Sequence, residues 1–160
     1  MCGINGFYLK KKEGFDLINL KRANEKLNHR GPDFQAVYYN SQKTLGLGHT
    51  RLAIQDLNKV ANQPMKSNCK RFVIIFNGEI YNFKELKKYL INISDKYLFV
   101  SNSDTEVILN FYKYCDQEKK SLYFFLSNLK GIFSLAIWDE YLQKLILARD
   151  SFGVKPLYYN

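Results

Sequence analysis

The sequence predicts an α+β layered fold built on mostly antiparallel sheets. Two observations predict it. Extended apolar segments outnumber helical ones, and their connections are short enough for hairpins to dominate. With 160 residues, 46% hydrophobic and 16% aromatic, the chain reads as one domain spanning residues 1–160, large enough to bury its own core.

Taken in order, Cys2 to Leu9 reads as a strand. Asp16 to Asn28 reads as an amphipathic helix, with Leu17, Leu20, Ala23 and Leu27 on one face and Gly31-Pro32 as its stop. Gln35 to Tyr39 and Leu45 to Gly48 are strands. Arg71 to Phe76 is apolar on both faces, as in a strand covered from both sides, and runs into Asn77-Gly78 and a short extended Ile80-Tyr81. Asn82 with Glu85, and Ser103 with Glu106, match capping boxes, so helices are expected from Phe83 to Leu90 and from Asp104 to about Tyr114. A further helix is expected from Ser121 to Leu129. Gly131 to Trp138 and Lys144 to Arg149 form a hairpin around Asp139-Glu140-Tyr141.

Composition excludes several classes. The three cysteines, Cys2, Cys69 and Cys115, are too scattered for a disulfide framework, and with only His29 and His49 beside them no zinc spacing exists, so no metal site is expected. Lys10-Lys11-Lys12 interrupt the first stretch before it becomes a secretory leader, and no apolar run approaches the ~18 residues of a membrane span. A reducing cytoplasm is the expected compartment. The formal charge of +9 raises a nucleic-acid partner, but the lysines are dispersed along the chain and fall on polar helix faces. Neither a nucleic acid nor a membrane is expected as a partner.

Polar residues gather where a plain core needs none. His29-Arg30-Gly31-Pro32-Asp33 is a rigid polar turn, and Gly48 to Ile54 sets Arg51 inside an apolar stretch. Asn62-Gln63-Pro64-Met65 is a second constrained turn, Asn77-Gly78-Glu79 ends a buried strand, and Ser103 to Glu106 opens a helix. At the start stands Cys2. Its simplest reading is a small buried hydrophobe. If Met1 is removed, Cys2 carries both a thiol and a free α-amine. An α-amine with a pKa near ~7.7–8.0 is partly neutral at physiological pH and can take the thiol proton. Such a residue brings its own base, which leaves no need for a dyad with His29 or His49.

Cys2-Gly3-Ile4, His29 to Asp33, Arg51 to Ile54, Phe76 to Asn82, Ser103 to Val107 and Ala148 to Tyr159 resemble, in the same order over the whole chain, the glutaminase domain of glutamine-hydrolysing asparagine synthetases. Those are class II glutamine amidotransferases. The resemblance implies the N-terminal nucleophile hydrolase fold, a four-layer αββα sandwich of two mostly antiparallel sheets. It implies that Cys2 attacks the side-chain amide of L-glutamine, giving a thioester that water hydrolyses to glutamate. It implies an oxyanion hole from the Asn77 amide and the Gly78 N–H, and Arg51 on the substrate carboxylate. Asp104 and, more loosely, Glu79 would receive the substrate ammonium, with Leu52, Ala53, Ile54, Gln55, Asn62 and Gln63 lining the pocket. Such a site would take free glutamine and reject glutamine within a peptide, unlike a cysteine protease.

Simpler readings stand beside these. Asn77-Gly78 suits a type I′ hairpin turn, Arg51 suits a surface ion pair, and Asp104 suits the first turn of a helix through the macrodipole alone. Phe34 after the Arg-Gly-Pro-Asp run, and Ala61-Asn62 before Gln63-Pro64, depart from the family pattern. The resemblance further implies a C-terminal synthetase domain, joined or acting in trans and absent from this chain, which would use ATP and magnesium to convert aspartate to asparagine. No cofactor is expected in this domain. A homodimer is among the arrangements considered, a sugar carboxylate is the alternative acceptor, and a catalytically silent docking module is the alternative role.

Overall fold

The computed structural model describes residues 2–9 and 17–160. Elements run β1 (Gly3–Tyr8), α1 (Leu17–Lys26), β2 (Phe34–Tyr39), β3 (Leu45–Arg51), β4 (Met65–Lys66), β5 (Phe72–Ile80), α2 (Phe83–Ile93), α3 (Asp104–Gln117), α4 (Leu122–Ser127), β6 (Gly131–Asp139) and β7 (Lys144–Arg149). One sheet has the order β1-β3-β2 and the other β4-β5-β6-β7, with every pairing antiparallel. Alternation along the strands sets the layers. Val73 and Ile75 of β5, with Ala136 and Trp138 of β6, meet Leu45 and Leu47 of β3 between the sheets. Phe72, Ile74, Phe76 and Ile80 turn the other way, into a second core with Val107, Ile108 and Phe111 of α3 and Leu86 and Leu90 of α2. With α1 on the outer face of the first sheet, the order is αββα, as the resemblance implied.

The outer face of β3 is what admits α1. Its residues there are Gly46, Gly48 and Thr50. A Cβ on Gly46 would lie 2.7 Å from Leu20 Cδ2, and one on Gly48 would lie 2.9 Å from Asn24 Oδ1 and 2.3 Å from Asn5 Oδ1. The same helix donates from Asn24 Nδ2 to the His49 carbonyl at 3.2 Å, so the layer is both close-packed and hydrogen-bonded.

The structure differs from the sequence expectations at element ends. The first helix covers Leu17–Lys26 and gives way to a 3-10 turn at Asn28–Arg30, with Asp16 outside the described residues. The third strand continues to Arg51. The fifth runs unbroken to Ile80, so Asn77-Gly78 lie inside a strand and not in a hairpin turn. Asn82 does not cap α2 with its side chain. Its amide instead ties to the Asn128 carbonyl and the Lys130 N–H. Ser103 does cap α3, accepting from Thr105 N at 3.1 Å, whereas Glu106 bends back to Val100 and Ser101. The two-residue β4 was not anticipated.

Gly48→Val is expected to lower stability by about 1–3 kcal/mol through overpacking between β3 and α1. Thermal unfolding measures this, and an unchanged midpoint would mean the helix does not lie so close.

Candidate functional site

The site grows from the N-terminus of β1. Gly3 N donates to Thr50 Oγ1 at 3.1 Å, and Arg30 Nε donates to the Cys2 carbonyl at 3.1 Å. Cys2 is thereby held from both sides. Its Sγ lies 3.8 Å from the Leu52 carbonyl. The polar turn at 29–33 also steadies the facing loop: Asp33 N donates to the Arg51 carbonyl at 3.0 Å, and Asp33 Oδ2 accepts from Ala53 N at 2.8 Å.

Cys2 opens into a cleft of about 160 Å³, well under the ~300–1,000 Å³ of sites for drug-sized ligands. Its wall brings together Cys2, Arg51, Leu52, Ile54, Gln55, Gln63, Asn77, Gly78, Glu79 and Asp104 from the sequence-predicted set. Ala53 and Asn62 stand behind the wall, Ala53 through its bond to Asp33 and Asn62 by accepting from Arg51 Nη1 at 2.6 Å. The sequence reading assigned no role to Thr105, Ile132 or Lys155, which also line the cleft. Lys155 is seated there because the Asp150 carboxylate accepts the N–H groups of Phe133, Phe152, Val154 and Lys155. Its signals in the sequence are a charge within a largely apolar run and its place in the Ala148 to Tyr159 segment.

The free donors follow from the edge of β5. Because β4 pairs only with Val73 and Ile74, the later residues facing that edge need other partners. Phe76 N donates to Gln63 Oε1 at 2.6 Å, and Ile80 N donates to Asp104 Oδ2 at 3.0 Å. Gly78 lies between them on the same edge. The N–H of its cross-strand neighbour Phe133 donates to Asp150 Oδ2, and the Phe133 carbonyl accepts from Asp150 N, so neither turns to Gly78. The Gly78 N–H therefore meets no acceptor among the described residues and faces the cleft. A Cβ at Gly78 would stand 2.2 Å from the Ile132 carbonyl, so close packing against β6 requires glycine. Asn77 follows Val73 and Ile75 onto the inter-sheet face, and its amide has no hydrogen-bond partner among the described residues.

Charge is arranged around these donors. Arg51 is 7% exposed. It donates from Nη1 to the Asn58 carbonyl and Asn62 Oδ1, and from Nη2 to the Asp56 carbonyl. All three acceptors are neutral, and no carboxylate bridges it among the described residues. The surface ion pair is thus excluded, and Nε with one Nη2 proton remains for an anion. Asp104 is pushed up to about 6, first by burial and further by the nearby charge of Glu79. Two acids in one cleft leave a place for a cation. Gln55 Nε2 reaches Glu79 Oε1 at 3.4 Å across the mouth.

His49 is not a base for Cys2. It is fully buried and its Nε2 lies 3.2 Å from the Phe76 carbonyl. Burial lowers its pKa to about 4, opposed by that bond and assisted by the Arg51 charge. The thiol of Cys115 is buried too, which pushes it up to about 12.

Comparison with known proteins decides the family. The model of the glutamine amidotransferase domain matches residues 1–160. The chain belongs to the glutamine amidotransferase domain family. Asparagine synthetase [glutamine-hydrolyzing] 1 of Bacillus subtilis is 37% identical over 165 residues, covering 100% of this chain and 24% of that protein. Amidase chry2 of Gibberella zeae is 34% identical over 170 residues, covering 100% of this chain and 24% of that protein. The amidotransferase domain thus spans about a quarter of the length of these relatives. In fold it is similar to the solved glutamine phosphoribosylpyrophosphate amidotransferase of B. subtilis, with TM-score 0.70, 20% identity, and coverage of 94% of this chain and 37% of that one. The N-terminal nucleophile hydrolase architecture is therefore the fold of this domain. No helix among the described residues is long and apolar enough to cross a membrane.

Because His49 is neutral in the fold and would bind a proton when unfolded, its burial contributes stability that is present above about 6.5 and lost as pH falls toward 4. Unfolding free energy measured across that window should fall less steeply in His49→Gln. Equal slopes would place the proton uptake elsewhere.

Proposed function

We propose that this domain hydrolyses the side-chain amide of free L-glutamine to glutamate and ammonia, with Cys2 as N-terminal nucleophile once Met1 is removed. The observation that carries this reading is the cleft itself. One small space holds a thiol, an unpaired strand N–H, a buried cation without a carboxylate partner, and a pair of acids. A free amino acid with an amide side chain complements all four.

The steps follow from the groups present. The Cys2 amine takes the Sγ proton, and the thiolate attacks the amide carbon. Negative charge forms on the amide oxygen, where the Gly78 N–H and the Asn77 amide serve as donors; loss of one such donor typically costs ~10²–10³ in rate. The protonated amine returns its proton to the departing nitrogen, which leaves as ammonia. Water then cleaves the glutamyl thioester, releasing glutamate and restoring the thiol. Arg51 holds the substrate carboxylate through its free edge, and Asp104 with Glu79 holds the ammonium.

The ammonia serves an ATP- and magnesium-dependent synthetase domain that converts aspartate to asparagine, a reading supported by the B. subtilis asparagine synthetase relative. The G. zeae relative, named an amidase, supports a second reading in which the same glutaminase serves another acceptor, such as a sugar carboxylate. Action in the cytoplasm and a homodimer belong to the same proposal, and light scattering would test the dimer.

Protein whose intact mass shows Met1 removed should release glutamate from glutamine, and Cys2→Ala should not. Release by both would exclude the thioester; release by neither would support the docking role. Asp104 must be ionised to receive an ammonium, so KM for glutamine should rise as pH drops below about 6. Asp104→Asn should raise KM roughly ten- to hundredfold and flatten that dependence. A KM indifferent to both pH and substitution would remove Asp104 from the substrate contact.

A further inference from the structure

Phe76 immediately precedes the two oxyanion donors, and both its backbone groups face the edge of β5 that β4 leaves open. Gln63 takes the N–H. The carbonyl is taken by His49, reaching across from the other sheet. His49 shares the inter-sheet face of β3 with Leu45, Leu47 and Arg51. Its ring nitrogen next to the carbonyl must carry the proton, since a lone pair there would oppose the carbonyl oxygen. Nδ1 is then an acceptor, and it meets no donor among the described residues. A leucine continuing the apolar face would avoid that buried, unpaired acceptor. The imidazole is therefore poorly explained as packing and well explained by what its Nε2–H holds.

What it holds is the peptide plane joining Phe76 to Asn77. Rotation of that plane would swing both the Asn77 side chain and the next N–H, that of Gly78. Oxyanion donors act only within about 2.7–3.1 Å of the charge they stabilise, so a small swing removes their effect. Arg51 and Asp104 are carried by β3 and α3 and do not depend on this plane.

We propose that His49 is a positioning residue for glutamine hydrolysis: by donating to the Phe76 carbonyl across the two sheets, it fixes the backbone from which Asn77 and Gly78 address the oxyanion. The inference rests on the glutaminase reading. It assigns His49 a place in the reaction distinct from that of a base or a substrate contact, and it predicts a separation of kcat from KM.

The test compares wild type, His49→Leu and His49→Gln, with turnover normalised to the Cys2 that reacts with a diazoketone analogue of glutamine, so that unfolded protein is not counted. His49→Leu should lower kcat about tenfold or more, as part of the ~10²–10³ attached to one such donor, with KM within about threefold. The amide N–H of His49→Gln should restore most of the loss. Wild-type kcat in His49→Leu, equal losses in both variants, or a change confined to KM would each overturn the inference. If His49→Leu does not fold, nitrogen NMR of wild type decides: the Nε2–H tautomer supports the inference, and the Nδ1–H tautomer cannot donate to Phe76 and overturns it. A wild type that does not hydrolyse glutamine would overturn the functional reading itself, a different result from an active wild type with an equally active His49→Leu.

Discussion

The site depends on a strand that stops early. The fourth strand has 2 residues, while its neighbour β5 has 9. A strand edge cannot be left with unpaired backbone groups in a protein interior without a cost in free energy. Here the edge is closed one residue at a time, by Gln63 and His49 at Phe76 and by Asp104 at Ile80. The gap between them falls at Gly78, next to the thiol-bearing cleft. A longer β4 would have paired the same N–H and left no donor for chemistry.

The edge partners come from elements that also build the rest of the pocket. Asp104 opens α3 and belongs to the acid pair with Glu79. Gln63 lies in the segment that follows the Arg51 partners Asp56, Asn58 and Asn62, and its Nε2 continues to Thr105 Oγ1 at 3.1 Å. Arg51 bonds Asn62, whose chain neighbour Gln63 bonds Phe76 N, and Asp104 bonds Ile80 N, so the cation and one of the acids are both anchored to β5. Such networks in low dielectric hold their members in place more firmly than isolated pairs do. That rigidity suits a site whose donors must be aimed before substrate arrives.

The sequence showed the layers clearly because alternation and helical periodicity are local. The two faces of β5 could be read from Val73, Ile74, Ile75 and Phe76 alone, and the Ser103 cap needs only its own helix. What it could not show is which group closes a backbone ladder from elsewhere in the chain. Asn82 matched a cap motif, yet its amide serves the turn before β6. Asn77-Gly78 fitted a hairpin turn until their pairing with Ser134 and Phe133 placed them in mid-strand. His49 invited comparison with a catalytic base because the sequence says nothing of its burial against Phe76. For Cys2, the residue types supplied the chemistry, and the resemblance supplied the reason to prefer it over a buried thiol.

The central claim is that Gly78 offers a free N–H to the cleft while its neighbours on the same edge are held. Amide NMR of the protein before and after Cys2 reacts with a diazoketone analogue of glutamine tests it most directly, because the adduct leaves a ketone oxygen where the substrate amide oxygen would lie. The account predicts a large downfield shift of the Gly78 N–H, with the Phe76 and Ile80 amides nearly unchanged. A Gly78 resonance that does not move, or that is already hydrogen-bonded in the free protein, would contradict it.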